Sequence, residues 1–311
     1  MMDEQKEMNH MRELVELLNR ARRSYEQENT EIMSNYEYDK LYDELQELEE
    51  KLGTRMANSP TVNVGYEVLS ELPKERHDSP MLSLDKTKDR ESLRSWLKDQ
   101  KGLLSWKLDG LTIVLTYENG ELVKAVTRGN GQIGEIITNN ARMFKNIPVT
   151  ISYKGRLVLR GEAIITYSDF NRINEEIPET DAKYKNPRNL ANASLRLYDS
   201  KKASTRHLQF KAFTLVECPK MPKTVEESFH WMEKQGFTVV EYKKVTAFTI
   251  KETITDYFEK EVESYTFPTD GLVLCMDDIA YGASLGVTNK FPRNSIAFKW
   301  QDAVSYTHLT L

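Results

Sequence analysis

In the stretch "TRGNGQIGE" (127–135), Arg128 is hemmed by Gly129, Gly131 and Gly134. Glycines let a backbone approach a phosphate closely and an arginine offers it planar donors, so the pattern can bind phosphate; the plainer alternative is a flexible hairpin with a solvated arginine. In "LVLRGEAII" (157–165), Glu162 interrupts an apolar strand pattern. A carboxylate there could hold a ribose hydroxyl or a metal ion, or could pair with Arg160 on an exposed edge. In "SWKLDGLTIVLTYENG" (105–120), Lys107 opens the pattern K-x-D-G at a strand end, either as an exposed lysine beside a turn or as an amine held there for chemistry. "TDGLVLCM" (269–276) puts Asp270 before another strand, and "SIAFKW" (295–300) nearly ends on Lys299, which could simply snorkel at a sheet edge.

Positioning these groups falls to elements that periodicity locates. Leu111, Ile113, Leu115 and Tyr117 alternate with other residues, the period of a half-buried strand, and Asn119-Gly120 is a hairpin signal. The same reasoning predicts strands at 103–108, 111–117, 121–127, 156–165, 207–216, 271–276 and 295–300. Helices are predicted around Leu93, Trp96 and Leu97, at 168–176, at 224–235 behind the capping box "TVEE" with Gly236 as a stop, and at 249–264. Hairpin-linked strands with occasional helices predict antiparallel sheets in an α+β domain. Ahead of them Leu14, Leu17, Leu18, Ala21 and Tyr25 recur at helical spacing, and a second stripe follows in Tyr38, Leu41, Tyr42, Leu45, Leu48 and Leu52. Ser34 and Glu37 form a capping box for this second helix, and Gly53 stands where it should stop. "NSPTVNVGY" (58–66) reads as an extended linker, because Pro60 and Gly65 interrupt periodic structure, and sets a domain boundary near residue 70.

The 311 residues suffice for two domains and a buried core, and 39% hydrophobic with 29% charged residues is a globular, water-soluble balance. No apolar run reaches membrane-spanning length and the opening "MMDEQKEMNHMREL" is too polar for a signal peptide, so the cytoplasm is expected and a membrane partner is not. Cys218 and Cys275 alone can make neither a disulfide framework nor a four-cysteine zinc site, and no metal ligands are singled out. The net charge of −5 gives no general pull toward nucleic acid, so any such contact must be local or lie outside this chain.

In their order, K-x-D-G, an Arg-Gly loop, R-G-E, D-G-[LV]-V and a terminal A-[FY]-K strand resemble the motif series of the nucleotidyltransferase superfamily of ligases and capping enzymes. More specifically, the chain resembles the amino-terminal half of bacterial NAD-dependent DNA ligases over about residues 10–302. The matches are "YEYDKLYDELQELE" (36–49), "NSPTVNVG" (58–65), "PMLSLD" (80–85), "WKLDGL" (106–111), "TRGNGQIGE" (127–135), "KNPRNLANASLR" (185–196) and "YGASLGVTNKFPRNSIAFKW" (281–300).

That resemblance implies an antiparallel-sheet nucleotidyltransferase (adenylation) domain over 71–304, preceded by a helical leader over 1–70 that binds the nicotinamide mononucleotide (NMN) half of NAD. A tail, 305–311, falls outside the match. It implies that Lys107 takes AMP from NAD as a lysyl phosphoramidate and expels NMN, with Asp109 orienting it. Arg128 and Lys299 would contact the phosphate side and Glu162 the ribose; Ser83 and Leu84 would line the adenine site, and Phe213 in "LQFKAF" would stack on the base. In the leader, Tyr25, Tyr38 and Asp39 would hold the NMN half, with Asn35 where the family often has aspartate. Arg188 in "NPRN" and Arg196 in "SLR" would contact phosphates of nicked double-stranded DNA in the full-length enzyme, or could instead satisfy helix ends or surface carboxylates. Magnesium would accompany NAD, and a monomer is expected. A free lysine has a pKa near ~10.4, so about one in a thousand is an unprotonated nucleophile at neutral pH. Partial burial and nearby cations such as Arg128, Lys299 and magnesium would favour the neutral amine and stabilise charge on the phosphate.

Three departures from the family pattern stand out. Cys275 replaces a phosphate-facing lysine, for which Lys290 or Arg293 in "NKFPRN" could compensate, and Ser105 replaces a glutamate that commonly contacts adenine. The sequence also stops soon after Lys299, before the oligonucleotide-binding barrel, zinc module, helix-hairpin-helix region and BRCT domain of a complete ligase, and "VSYTHLTL" does not match the family's continuation. Two other readings are a non-catalytic nucleotide-binding or partner-binding relic and an ATP-using nucleotidyltransferase.

Overall fold

The computed structural model describes residues 2–26, 32–56, 59–61, 72–197 and 200–299. Helix α1 (Met2–Glu26) packs on α2 (Asn35–Leu52) through Met11, Leu14, Val15, Leu18 and Leu45, which form a small core of their own. The capping box at the start of α2 is present: Glu37 N donates to Ser34 Oγ (3.2 Å) and Ser34 N to Glu37 Oε2 (2.8 Å). Gly53, in the left-handed region at φ 61°, ends the helix as expected. The start of the predicted linker is not free. Ser59 and Thr61 are buried against α2 and donate to the buried Glu49 carboxylate at 2.6 and 2.5 Å. Residues 62–71, where the domain boundary was expected, and the tail 305–311 lie outside the described residues.

The strands are β1 (Lys74–Arg76), β2 (Asp85–Thr87), β3 (Gly102–Leu108), β4 (Leu111–Glu118), β5 (Glu121–Thr127), β6 (Ile133–Glu135), β7 (Leu157–Ile164), β8 (Gln209–Glu217), β9 (Tyr242–Val245), β10 (Thr269–Met276) and β11 (Ser295–Lys299). They build a five-stranded sheet in the order β2-β11-β10-β3-β9, a four-stranded sheet in the order β5-β4-β7-β8, and a ribbon of β1 with β6. The architecture is α+β with antiparallel sheets; one exception to antiparallel pairing is β2, which joins β11 in parallel. Leu104, Trp106 and Leu274 from one sheet and Ile113, Leu159 and Phe210 from the other belong to one continuous apolar core. The helix predicted at 249–264 is broken into an α-turn (Ile250–Thr255), a π-turn (Asp256–Glu261) and a 3₁₀-turn (Val262–Ser264). Within the π-turn the buried Tyr257 donates its hydroxyl to Leu104 O (3.2 Å) and stacks edge-on to Trp106, tying the segment to β3.

Candidate active site

The register of the larger sheet explains how two lysines come together. Lys107 on β3 and Lys299 on β11 both stand directly opposite Gly271, which lies between them on β10. Directly opposed residues share a face, so two ammonium groups flank a position with no side chain. The register slips between Thr269 and Gly271, leaving Asp270 as the extra residue of a bulge. Bulges re-aim side chains, and here the carboxylate turns onto both amines, accepting from Lys107 Nζ at 2.7 Å and approaching Lys299 Nζ at 3.0 Å. The same Lys299 ammonium reaches Asp39 of α2 at 2.8 Å, and Asp39 also accepts from Lys86 of β2 at 3.3 Å. A row of alternating sign results: Lys107, Asp270, Lys299, Asp39, Lys86. Burial alone would raise the Asp270 and Asp39 carboxyls, but the lysines beside each hold both below the usual carboxylate range. Burial would lower Lys299, but the two carboxylates outweigh it and hold it above the usual lysine value.

Gly110 of the K-x-D-G pattern packs so tightly on β7 that a Cβ would lie 2.2 Å from Ala163 O. That approach lets Gly110 N donate to Glu162 Oε1 (3.2 Å), while Thr112 Oγ1 donates to Oε2 (2.9 Å). Burial pushes the Glu162 carboxyl up to about 7, against the pull of Arg188, the Thr112 hydroxyl and Lys107. In the Arg-Gly loop, Gly129 is left-handed at φ 56° and a Cβ would collide with Ile133 O, so the chain doubles back tightly. Arg128 Nη2 consequently donates to Ser83 Oγ (3.0 Å), and Met81 N donates to Gly131 O (2.8 Å). A second bulge, in β8, leaves Phe213 unmatched between Ala212, opposite Gly161, and Thr214, opposite Arg160.

Between these elements lies a cavity of about 800 Å³. Of the residues expected at the site it is lined by Asp39, Ser83, Leu84, Lys107, Arg128, Glu162, Arg188, Arg196, Phe213 and Lys299. Tyr38 does not line it but stacks on Tyr42 within the leader, 6.2 Å between ring centroids. Tyr25 and Asn35 lie on α1 and α2, but their side chains fall outside the described residues. Asp109, expected to orient Lys107, instead accepts from Arg188 Nη1 (3.1 Å). Besides the expected cation Lys299, a carboxylate stands beside Lys107, because Asp270 is its hydrogen-bond partner. Arg188 and Arg196, expected at DNA phosphates, lie at the two ends of the helix Pro187–Leu195 on the cavity wall, and both hold carboxylates. Arg196 Nε donates to the buried Glu135 (2.8 Å), and its Nη1 donates to Asn192. Ser105 and Cys275 line the cavity floor, where burial pushes the Cys275 thiol up to about 12, so it supplies no charge. Lys290 and Arg293 do not line the cavity, whereas Lys86 does. Asp270 and Lys86 are two charged groups to which the sequence assigns no role; the aspartate of "TDG" and the lysine following "PMLSLD" are the available signals.

The site thus combines an amine, several cations able to face phosphate oxygens, a buried carboxylate and an aromatic ring on one cavity. Residues 69–303 match the family model of the NAD-dependent DNA ligase adenylation domain, and residues 4–65 that of the DNA ligase-like, N-terminal NAD+-binding domain. A DNA ligase of Lachnoclostridium phytofermentans is 60% identical over 299 residues, covering 96% of this chain and 46% of its own length. One of Ruminiclostridium cellulolyticum is 58% identical over 301 residues with the same coverages, and one of Helicobacter pylori is 34% identical over 308 residues, covering 96% and 47%. The chain therefore spans about half the length of the relatives it matches.

Proposed function

Because the chain belongs to the NAD-dependent DNA ligase adenylation family, we propose that Lys107 attacks the adenylyl phosphorus of NAD to give lysyl-AMP and NMN. The observation that carries this reading is the pair Lys107 and Lys299 flanking Gly271 on the floor of a nucleotide-sized cavity. Lys107 donates to Asp270; to attack it must give up a proton and leave that contact. Its nitrogen then forms the N–P bond while the P–O bond to the NMN phosphate breaks, the electron pair staying on the departing oxygen. Arg128 and Lys299 stabilise the charge that builds on phosphate, Phe213 stacks on adenine between Ser83 and Leu84, and Glu162 accepts from the ribose. Tyr25, Asn35, Tyr38 and Asp39 serve the NMN half. Among the described residues there is no group of three or more His, Cys, Asp or Glu that could cage a metal. Any magnesium would be held mainly by the phosphates of the nucleotide, which is a common arrangement for this ion.

We assign residues 1–70 to the NMN-binding leader and 71–304 to the adenylation domain, a division supported by their separate apolar cores. Later transfer of AMP to the 5′-phosphate of nicked DNA belongs to the same proposal, with Arg188 and Arg196 exchanging their carboxylate partners for DNA phosphates. No helix among the described residues is long and apolar enough to cross a membrane, and a cytoplasmic monomer fits this role. Incubation with NAD and magnesium should add one adenylyl group by intact mass, and none in Lys107→Ala or Lys107→Arg. Labelling that persists in Lys107→Ala would reject the assignment, and equal labelling by ATP would reject the choice of NAD.

A further inference from the structure

We propose that Lys86 and Lys299 together seat the outer phosphate of the dinucleotide, the one that departs with NMN, where they now hold the carboxylate of Asp39. The inference rests on NAD being the substrate, as argued above. The two ammonium groups grip opposite oxygens of one carboxylate, Lys299 Nζ at 2.8 Å from Oδ2 of Asp39 and Lys86 Nζ at 3.3 Å from Oδ1. Two cations converging on the two oxygens of a single anion are also what a phosphate requires. The strand register makes the convergence structural: β2 runs parallel to β11 with Lys86 opposite Ala297, a cavity-floor residue two before Lys299. Lys86 is therefore fixed on the same face as Lys299 and lines the cavity. Its head is further held by the leader, 3.3 Å from Asp43 and 4.7 Å above the Tyr42 ring.

The direction of the chemistry points the same way. In phosphoryl transfer the attacking and departing atoms are roughly in line, so the oxygen that leaves lies on the side of phosphorus away from Lys107. Along the row of charges that side is occupied by Lys299 and then Lys86. Negative charge develops on the departing phosphate as the P–O bond breaks, and Lys86 is placed to neutralise it. Neither Lys290 nor Arg293 can do so from outside the cavity: Lys290 lies near Glu49 and Arg55, and Arg293 is exposed. Asp39, displaced from the lysines, is free to turn to the nicotinamide nucleoside.

The test uses the reverse reaction of the full chain, in which NMN removes AMP from pre-adenylated protein and regenerates NAD. Nicotinamide riboside, which lacks the phosphate, serves as a competitive inhibitor. Lys86→Met should raise the KM for NMN by about tenfold or more, the worth of a lost charge-assisted contact, while the inhibition constant of the riboside stays within about twofold. Lys86→Arg should restore most of the NMN affinity. If KM for NMN is unchanged in Lys86→Met, or if NMN and riboside weaken equally, Lys86 serves only to hold the leader and the proposal is overturned. Failure of the unsubstituted protein to form the adenylate at all would instead reject the assignment of NAD as substrate, independently of Lys86.

Discussion

Glu162 shows how one buried carboxyl links the site to stability. Its carboxyl is held at about 7 in the fold against an ordinary value of 4.5. Between those values the unfolded chain has lost the proton and the folded one still binds it, so stability falls as pH rises through that window. At ~1.36 kcal/mol per pH unit the loss amounts to about 3 kcal/mol. Glu162→Gln is neutral at every pH and should gain on the unsubstituted protein as pH rises from about 4.5 to 7, with a constant difference above that. Urea unfolding of both at pH 5 and pH 8 checks this; a difference that does not change with pH would mean that the folded carboxyl ionises like an exposed one. At this scale the sequence made Glu162 conspicuous, because a carboxylate in an apolar strand needs a reason. Asp270 stands out only as the aspartate of "TDG", with nothing in the sequence to give its role. Its aim depends on a bulge against β3, and its partner Lys107 is 163 positions away.

Elements were readable where they were long enough to show a period. Strands β3, β4, β5, β7, β8 and β10 lie within a residue or two of expectation, whereas β1, β2 and β6, three residues each, have no period to detect. The helix Pro187–Leu195 was missed for a different reason. Pro187, Asn189, Leu190, Ala191, Asn192, Ser194 and Leu195 are all buried, so no polar stripe alternates with an apolar one, although Asn186 followed by Pro187 is a good helix start. That start can be tested. Asn186 accepts from Asn189 N at 2.8 Å, and Asn186→Ala should cost about 1 kcal/mol in urea unfolding, with Asn186→Asp recovering most of it. Fraying of this first turn would also loosen Arg188 from Asp109, so Asn186→Ala should slow single-turnover adenylation as well. A neutral effect of Asn186→Ala on stability would show that the helix is held by packing alone.

Across the whole molecule, two separate apolar cores are bridged by charge: Asp39 meets Lys299 and Lys86, and Asp43 meets Lys86 and Lys88. The row from Lys107 to Lys86 has five members and a lysine at each end. Under the proposed function, attachment of AMP removes the charge of Lys107, so Asp270 keeps Lys299 as its remaining partner in the row. Lys299, drawn inward by Asp270 and by the new phosphate, then has less to offer Asp39. Hydrogen exchange over Asn35–Leu52 should therefore quicken once the protein carries AMP, and unchanged protection would show that the leader does not sense the row. On that reading the row would act as a register of whether the lysine has been spent, loosening the leader once AMP is in place.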